Sequence, residues 1–516
     1  MAAGATFVFR YLAQTGLPND SFEHLAGAQQ MLAGEWPTRD FVDPGMPLTY
    51  AASALSRLIF GPTLLAEALL NAGAFAIAAA ATLFAARALA ASWTIAWIAT
   101  LISVAAFPRP YAYPKVLMTA LMAAAICSFQ QAPAMRRLVV LSLLPVIGFL
   151  FRHDYGAYLG TAAILAAALA PADAWRVRVQ RVALAAGLMA MALLPYAIYL
   201  EVSGGFAPAV ASVLDYGRNH AARTRLHFDT LWASDAGRLF YLFHAMTVVA
   251  GVMAVFDVVR RKWSEVGVVL PLVCLAVLTN VGLLRDPLEA RLPDAIVPVV
   301  LLGAWLAGRA RQVHGRLRLV TLAGAPAATV VAVSLLLGVV QFAEQWDRTG
   351  VRTRGMLGIP RLMWEQTQQL HARFTPRQLP NGRTQALVPF FEYLDRCTHA
   401  SDRLLVTGYA PEIYFYARRP FAGGQKVYIE GYYRTAADEA LVRERLRDRP
   451  ARFIAFLTDE APQWRASYPN VNADVDSAYG RFAEIPIDDE RTLDLRVNRA
   501  SAPTGTDAAT GWPCYK

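Results

Sequence analysis

The sequence predicts an α-helical polytopic membrane protein of about ten to eleven spans, with interfacial helices in its first loop and a C-terminal extracytoplasmic α/β domain. Three observations predict it. Of 516 residues, 56% are hydrophobic and only 17% are charged, against about 25% charged in soluble proteins; mean hydropathy is +0.33. The depletion is uneven, because residues 62–343 are apolar runs with charges only between them, whereas 344–516 read like a soluble domain. Arginines also recur in every second short loop. Three segments follow: 1–61, a partial N-terminal span with an extracytoplasmic loop; 62–343, the transmembrane domain; and 344–516, the soluble α/β domain.

A helix needs about 20 apolar residues to cross a hydrocarbon core of roughly 30 Å. Ten stretches are read as spans: 64–86, 88–107, 116–129, 138–151, 155–170, 182–200, 239–256, 266–284, 292–306 and 319–342. Alternate loops carry Arg136 and Arg137; Arg176, Arg178 and Arg181; Arg260, Arg261 and Lys262; and Arg309, Arg311, Arg316 and Arg318. The positive-inside rule makes these loops cytoplasmic. The net charge of +10 therefore reports topology and excludes a nucleic-acid partner. By parity, residues 18–60, the loops 108–115, 152–154, 203–237 and 285–291, and the C-terminal domain lie outside. An outward first loop needs a preceding span. Residues 1–17 are too short and carry Arg10, so the expectation is a span truncated at its start, with an interfacial segment as the alternative.

The first loop opens on Asp20, expected as N-cap of a helix running to about Leu32. Phe22, Leu25, Ala26, Gln29 and Leu32 share one face, which suits a helix lying on the membrane surface. A second amphipathic stretch covers 47–60. Trp36-Pro37 and Asp43-Pro44-Gly45 are turn signals between them. An acidic residue, a helix ending in Leu-Ala-Gly, then Trp-Pro-x-Arg-Asp-Phe and Asp-Pro-Gly-x-Pro-Leu-x-Tyr: this order resembles the first extracytoplasmic loop of the glycosyltransferase C superfamily. The bacterial members most similar belong to the protein O-mannosyltransferase and lipid A aminoarabinose transferase group. The resemblance extends through the alternating spans to the C-terminal domain.

It implies transfer of a sugar from a polyprenyl-phosphate donor to an extracytoplasmic acceptor (lipid, glycan or protein) at a bacterial inner membrane, with the lipid bilayer as the other partner. The family's first loop carries paired acids, Asp-Glu or Asp-Asp. Here Asp20 is followed by Ser21 and then Glu23, so Asp20 and Glu23 both stand as catalytic candidates. A carboxylate can take the proton of an attacking hydroxyl, and the alternative for Asp20 is a helix cap alone. Asp40 and Asp43 organise the loop, and Asp43 is also a candidate substrate contact.

A departing lipid phosphate gathers negative charge, which arginine or lysine must meet. The stiff loop FPRPYAYPK offers Arg109 and Lys115 for this, with Tyr111 and Tyr113 as substrate contacts or interface anchors. Arg152, His153 and Asp154 follow a run only about 21 Å long as helix. They are therefore expected in a polar recess, Arg152 as a candidate for the donor phosphate and Asp154 as a candidate substrate contact, with an Arg152–Asp154 ion pair as the structural alternative. The loop 203–237 holds Asp215, Tyr216, Arg218, His220, Arg223 and Arg225. The last outer loop adds Arg285 and Arg291 around Asp286 and Glu289; one arginine of these two loops is expected to reach the donor phosphate, with pairing to the two acids as the alternative for Arg285 and Arg291. No metal-ligand spacing is present, so no cofactor is assigned, and a divalent cation stays open. No GxxxxGK[ST] loop and no strand-flanked GxGxxG occurs, which fits a lipid-linked rather than a nucleotide-linked sugar. The competing function is a transporter or flippase of lipid-linked glycans, for which buried charges in many spans are equally suited.

In the C-terminal domain, strands at 403–407 and 452–457 alternate with helices at 386–397 and 438–447. The tyrosine-rich stretch 409–433 is expected either to pack internally or to face acceptor or membrane. Cys397 and Cys514 can pair in an oxidising compartment or stay free, and residues from 507 onward read as a loose tail.

Overall fold

The computed structural model describes residues 1–14, 16–171, 174–222, 232–284, 289–311, 329–374, 382–430, 432–487 and 491–516. Contacts divide the chain into two compact units. One comprises Met1–Gln14, Ala68–Ile198 and Thr224–Trp364; the other comprises Thr15–Glu67, Tyr199–Arg223 and Glu365–Lys516.

Alanine and leucine, strong helix formers, fill the helices of the first unit. In chain order these are α1 (Ala2–Ala13), then, after the first-loop helices α2 (Asn19–Leu32) and α3 (Pro47–Phe60), α4 (Leu64–Ala90), α5 (Trp93–Ala105), α6 (Tyr113–Gln131), α7 (Met135–Phe151), α8 (His153–Leu169) and α9 (Trp175–Val202). Following α10 (Phe206–Ala222) come α11 (Asp235–Val259), α12 (Trp263–Leu284) and α13 (Ile296–Ala310). Among the described residues six helices are long and apolar enough to cross a membrane, or seven if the bent pair Thr329–Val339 and Phe342–Arg348 is one span. The protein is thus a multi-pass membrane protein. Among the described residues, helices lie in each of the ten stretches read as spans, the tenth being described only from Thr329. However, α5 has 13 residues and α7 and α8 have 17 each, short of the length that a roughly 30 Å core asks for. Only 6% of the α9 span is buried, as befits a helix whose sides meet acyl chains.

Helices α7 and α8 form a hairpin broken only at Arg152, whose backbone is extended (φ −167°, ψ 114°). Small residues permit their approach: a Cβ on Gly156 would overlap the backbone of Phe149, the close contact by which membrane helices associate.

The second unit is built on a four-stranded sheet of order β1-β2-β4-β3, from β1 (Arg403–Val406), β2 (Ala451–Leu457), β3 (Tyr479–Pro486) and β4 (Thr492–Asn498). β1 and β2 are parallel, and β4 is antiparallel to both β2 and β3. The expected helices appear as Val388–Cys397 and Ala436–Asp448. The second is fixed by a capping box between Thr435 and Asp438, which satisfies its first free N–H groups.

The first-loop helix α2 belongs to this unit, and its apolar face is turned inward, not to a membrane surface. Phe22, Leu25 and Ala26 are buried, and Phe22 packs on Phe415 and Tyr416 at 5.5 and 5.6 Å. Gln29 donates to the carbonyls of Tyr414 and Arg419 at 3.2 and 2.8 Å. Gln30 exchanges two hydrogen bonds with the Phe421 backbone, both 3.0 Å. Glu35, 4% exposed, takes ion pairs from Arg403 and Arg449; two arginines and Gln30 around one buried carboxylate offset its desolvation. Helix α3 behaves differently: Leu55, Leu58 and Ile59 form an exposed apolar stripe. One of the two interfacial helices is therefore a core helix, because an apolar stripe carries no record of whether protein or lipid covers it.

The tail is not loose. Cys397 and Cys514 are disulfide-bonded. Arg396 grips Asp507 through two bonds of 2.9 Å, and the Tyr393 hydroxyl donates to the Pro513 carbonyl at 2.5 Å. Since the disulfide closes a loop of 117 residues, replacing both cysteines by serine is expected to cost about 4–5 kcal/mol on the chain-entropy account. Denaturant unfolding of the parent and double-serine proteins measures this. A loss below about 1 kcal/mol would mean that the side-chain clamps alone hold the tail.

Candidate functional site

In the second unit, α2 presents Asp20 and Glu23 one turn apart, so both carboxylates share a face. Asp20 is not the N-cap: the helix starts at Asn19 with Pro18 as cap. Its Oδ1 instead accepts a 2.5 Å hydrogen bond from the Tyr409 hydroxyl. Glu23 faces Lys426, with Oε2 at 3.9 Å from Nζ. Lys426 is buried, donates to the Tyr50 hydroxyl at 2.6 Å and lies 4.4 Å from the centre of that ring. Burial pushes the Glu23 carboxyl above its usual range and Asp20 adds to the rise, whereas Lys426, Tyr409 and Tyr432 oppose it.

Asp43 accepts from the backbone N–H groups of Gly45 and Met46 at 2.9 and 2.7 Å, so it organises its turn. Its second oxygen is buried without a hydrogen bond. Burial raises this carboxyl too, against those two bonds and Lys426. Burial lowers Lys426, against Glu23 and Asp43. Tyr216, Tyr432 and Tyr433 pack against one another at 5.1–5.8 Å, and Tyr432 and Tyr433 feel the Glu23 and Asp43 charges respectively. The tyrosine-rich stretch thus divides. Tyr414, Tyr416 and Tyr428 are core, while Tyr409, Tyr432 and Tyr433 join the carboxylates. Asp40 only organises its loop, accepting from Trp36 N and pairing with Arg39.

Both carboxyls are raised above ordinary values of about 4.3 for Glu and 3.9 for Asp. Stability tied to a raised carboxyl is present in full below the unfolded value and is lost as pH climbs through the folded one. Lys426→Met removes the charge that opposes the rise. The variant is expected to melt close to the parent at pH 5 and to lose about 3 kcal/mol at pH 8, followed by thermal unfolding across that range. A deficit independent of pH would show that Lys426 does not serve these carboxylates.

The first unit holds a second cluster. Asp294, buried, accepts from Arg109 at 2.7 Å and Lys115 at 3.1 Å. Arg109 also lies 4.6 Å from the Tyr111 ring, and Tyr113 is buried edge-on to Phe151 at 6.1 Å. Arg152 lies within electrostatic range of Lys115 and pairs with Asp154 through bonds of 2.8 and 3.0 Å, the structural ion pair weighed from sequence. Asp154 also accepts from Tyr155 N. His153 stacks on Phe149 and meets the Tyr196 hydroxyl at 3.2 Å. Arg10 of α1 is sandwiched 3.9 Å from both Phe75 and Phe107. It donates to the Pro108 carbonyl at 2.5 Å and is attracted to Asp294. Arg109, Lys115, Arg152 and Arg10 thus gather around or near the buried Asp294 carboxylate.

Arg291 heads the span that carries Asp294. Arg285, Asp286, Arg223 and Arg225 lie outside the described residues, as does the side chain of His220. Tyr216 is in the tyrosine group; Asp215 and Arg218 form an exposed ion pair. Among the described residues no three His, Cys, Asp or Glu side chains converge as metal ligands.

Asp294, Lys426, Tyr50, Tyr409 and Arg10 were not singled out as site residues from sequence. Asp294 sits inside a stretch read as a span, where a lone acid is itself a signal. Lys426 stands isolated among glycines and aromatics. Tyr50 closes the Asp-Pro-Gly-x-Pro-Leu-x-Tyr motif and Tyr409 opens the tyrosine-rich stretch 409–433, which marked both without giving either a role.

No protein-family model matches the chain, and no curated protein matches it.

Proposed function

We propose that the protein is a membrane glycosyltransferase that moves a sugar from a polyprenyl-phosphate donor to a hydroxyl of an extracytoplasmic lipid, glycan or protein. One observation carries the reading: Arg109, Lys115 and Arg10 converge on the buried Asp294, with Arg152 in electrostatic range of Lys115. Charge in a membrane-spanning segment is expensive and is kept where it meets an opposite charge. A lipid phosphate supplies that charge at membrane depth. Arg109 and Lys115 would take it as it leaves, and Arg10 would hold the loop that carries Arg109. The acceptor oxygen attacks the anomeric carbon and the bond from that carbon to the phosphate oxygen breaks, its electron pair staying on the polyprenyl phosphate. The acceptor proton needs a base, for which Asp20 of the second unit, held by Tyr409 with Glu23 alongside, is the candidate; a single displacement inverts the anomeric centre.

The reading counts α5, α7 and α8 as spans, giving ten to eleven, and takes the membrane as a bacterial inner membrane. The arginine pattern supports an extracytoplasmic C-terminal unit, and the Cys397–Cys514 disulfide is at home in an oxidising compartment. A flippase of lipid-linked glycans is the second reading, since the same charges suit an anionic headgroup in passage. The test is purified protein in detergent, given a panel of polyprenyl-phosphate sugars. Release of free polyprenyl phosphate that depends on an acceptor supports the transferase. Translocation of the intact lipid in vesicles, without release, replaces it with the flippase.

A further inference from the structure

Between residues 339 and 364 of the first unit is a built projection that neither cluster uses. The helix Thr329–Val339 is followed by Phe342–Arg348, bent from it by 57° at Gln341, whose backbone is left-handed (φ 50°, ψ 49°). The bend turns Phe342–Arg348 away from the axis of the helix before it. The segment's aromatics fix the depth. Phe342 and Trp346 pack on Phe9 at 6.0 and 6.1 Å, and Phe9 meets Phe107 at 5.7 Å, a grouping of the kind found at the headgroup level.

Beyond this belt the chain is held at its base and bare at its tip. Thr349 and Val351 are buried. The Thr349 hydroxyl bonds the Trp346 carbonyl at 2.6 Å, and Gly350 leaves room for Leu362 and no more. A short turn at Met356–Gly358 then exposes two large apolar side chains together, Met356 at 69% and Leu357 at 99%, with Trp364 at 64% beyond them. Water-facing loops rarely carry such side chains side by side. Arg352, which pairs with Asp347 at 3.3 Å, Arg354 and Arg361 flank the tip, and from Phe342 to Glu365 four arginines stand against three acids, so the collar is net basic.

We propose that this projection inserts Met356 and Leu357 into the acyl region of the leaflet beside it, while its arginines lie among anionic phospholipid headgroups. An apolar tip on a basic collar is the chemistry by which a surface segment enters an anionic lipid interface.

The test uses full-length protein with Cys127 and Cys274 changed to serine and the disulfide kept. An environment-sensitive fluorophore is attached at Leu357→Cys or, as a water-exposed control, at Arg447→Cys. Each is reconstituted in vesicles of phosphatidylcholine with phosphatidylglycerol, and in phosphatidylcholine alone. In the mixed vesicles, lipids brominated on their acyl chains are expected to quench the probe at 357 at least about twofold more than that at 447, with iodide quenching it correspondingly less. Removing the anionic lipid is expected to reduce the difference at least about twofold. Iodide quenching at 357 equal to that at 447 overturns insertion. Protection from both quenchers overturns it too, since protein then covers the tip. Equal signals in the two lipid mixtures overturn the anionic assignment. A position this exposed tolerates cysteine, and both labelled proteins must elute as the parent does.

Discussion

Asp20→Asn is expected to slow sugar transfer by about 10²–10⁴-fold, the ordinary worth of a positioned general base, with donor binding left nearly unchanged. Asparagine keeps the shape of the side chain and an oxygen that can still accept from the Tyr409 hydroxyl, which in the parent sits 2.5 Å from Oδ1. What it loses is the ability to hold a proton. Under the proposed mechanism the carboxylate matters only once the acceptor hydroxyl begins to attack, so the loss is expected to fall on kcat. Single-turnover release of polyprenyl phosphate, beside equilibrium binding of the donor, separates the two. Glu23→Gln belongs in the same experiment. Burial has already pushed that carboxyl upward, toward the range where a base works best at neutral pH. Full turnover in the Asp20 variant together with collapse in the Glu23 variant would transfer the role to Glu23.

Arg109→Ala is expected to lower kcat/KM for the donor by about 10²–10³-fold, the scale seen when one donor to a developing anion is removed. Arg109 now binds the Asp294 carboxylate at 2.7 Å, an arrangement that could be purely architectural. Two readouts separate the cases. If Arg109 only balances Asp294, then adding Asp294→Asn removes the orphaned charge and restores activity. If Arg109 meets phosphate, the double variant stays slow. Restoration would refute the phosphate role.

The membrane part was legible because transfer of apolar surface depends on composition, and composition is on the page. Helix α2 was legible to its last residue, Leu32, and the strands β1 and β2 to within one. What covers a surface was not legible. The stripe of Phe22, Leu25 and Ala26 satisfies a lipid surface and a protein core equally well. Strands β3 and β4 went unread although Thr492–Asn498 alternates polar and apolar residues, the period of a half-buried strand. Arg109, Lys115 and Arg152 were picked out by loop position, and the structure does bring them together. Asp294 was hidden by the apolar run around it, and Lys426 by distance from α2. Long-range pairing of that kind leaves no periodicity to read.

The ion pair between Glu35 and Arg403 joins residues 368 apart, with every described spanning helix translated in the interval. At about 5–20 residues per second, Glu35 leaves the ribosome roughly 20–70 s before its arginine is made. Throughout that time α2 has neither the carbonyls that Gln29 and Gln30 bind nor the aromatics that cover Phe22. The second unit can therefore close only late, when the last portion of the chain is delivered back to a helix made near the beginning. A chain interrupted before residue 403 has all its spans and no place for its first loop to fold. Quality control that senses exposed apolar surface would find it there.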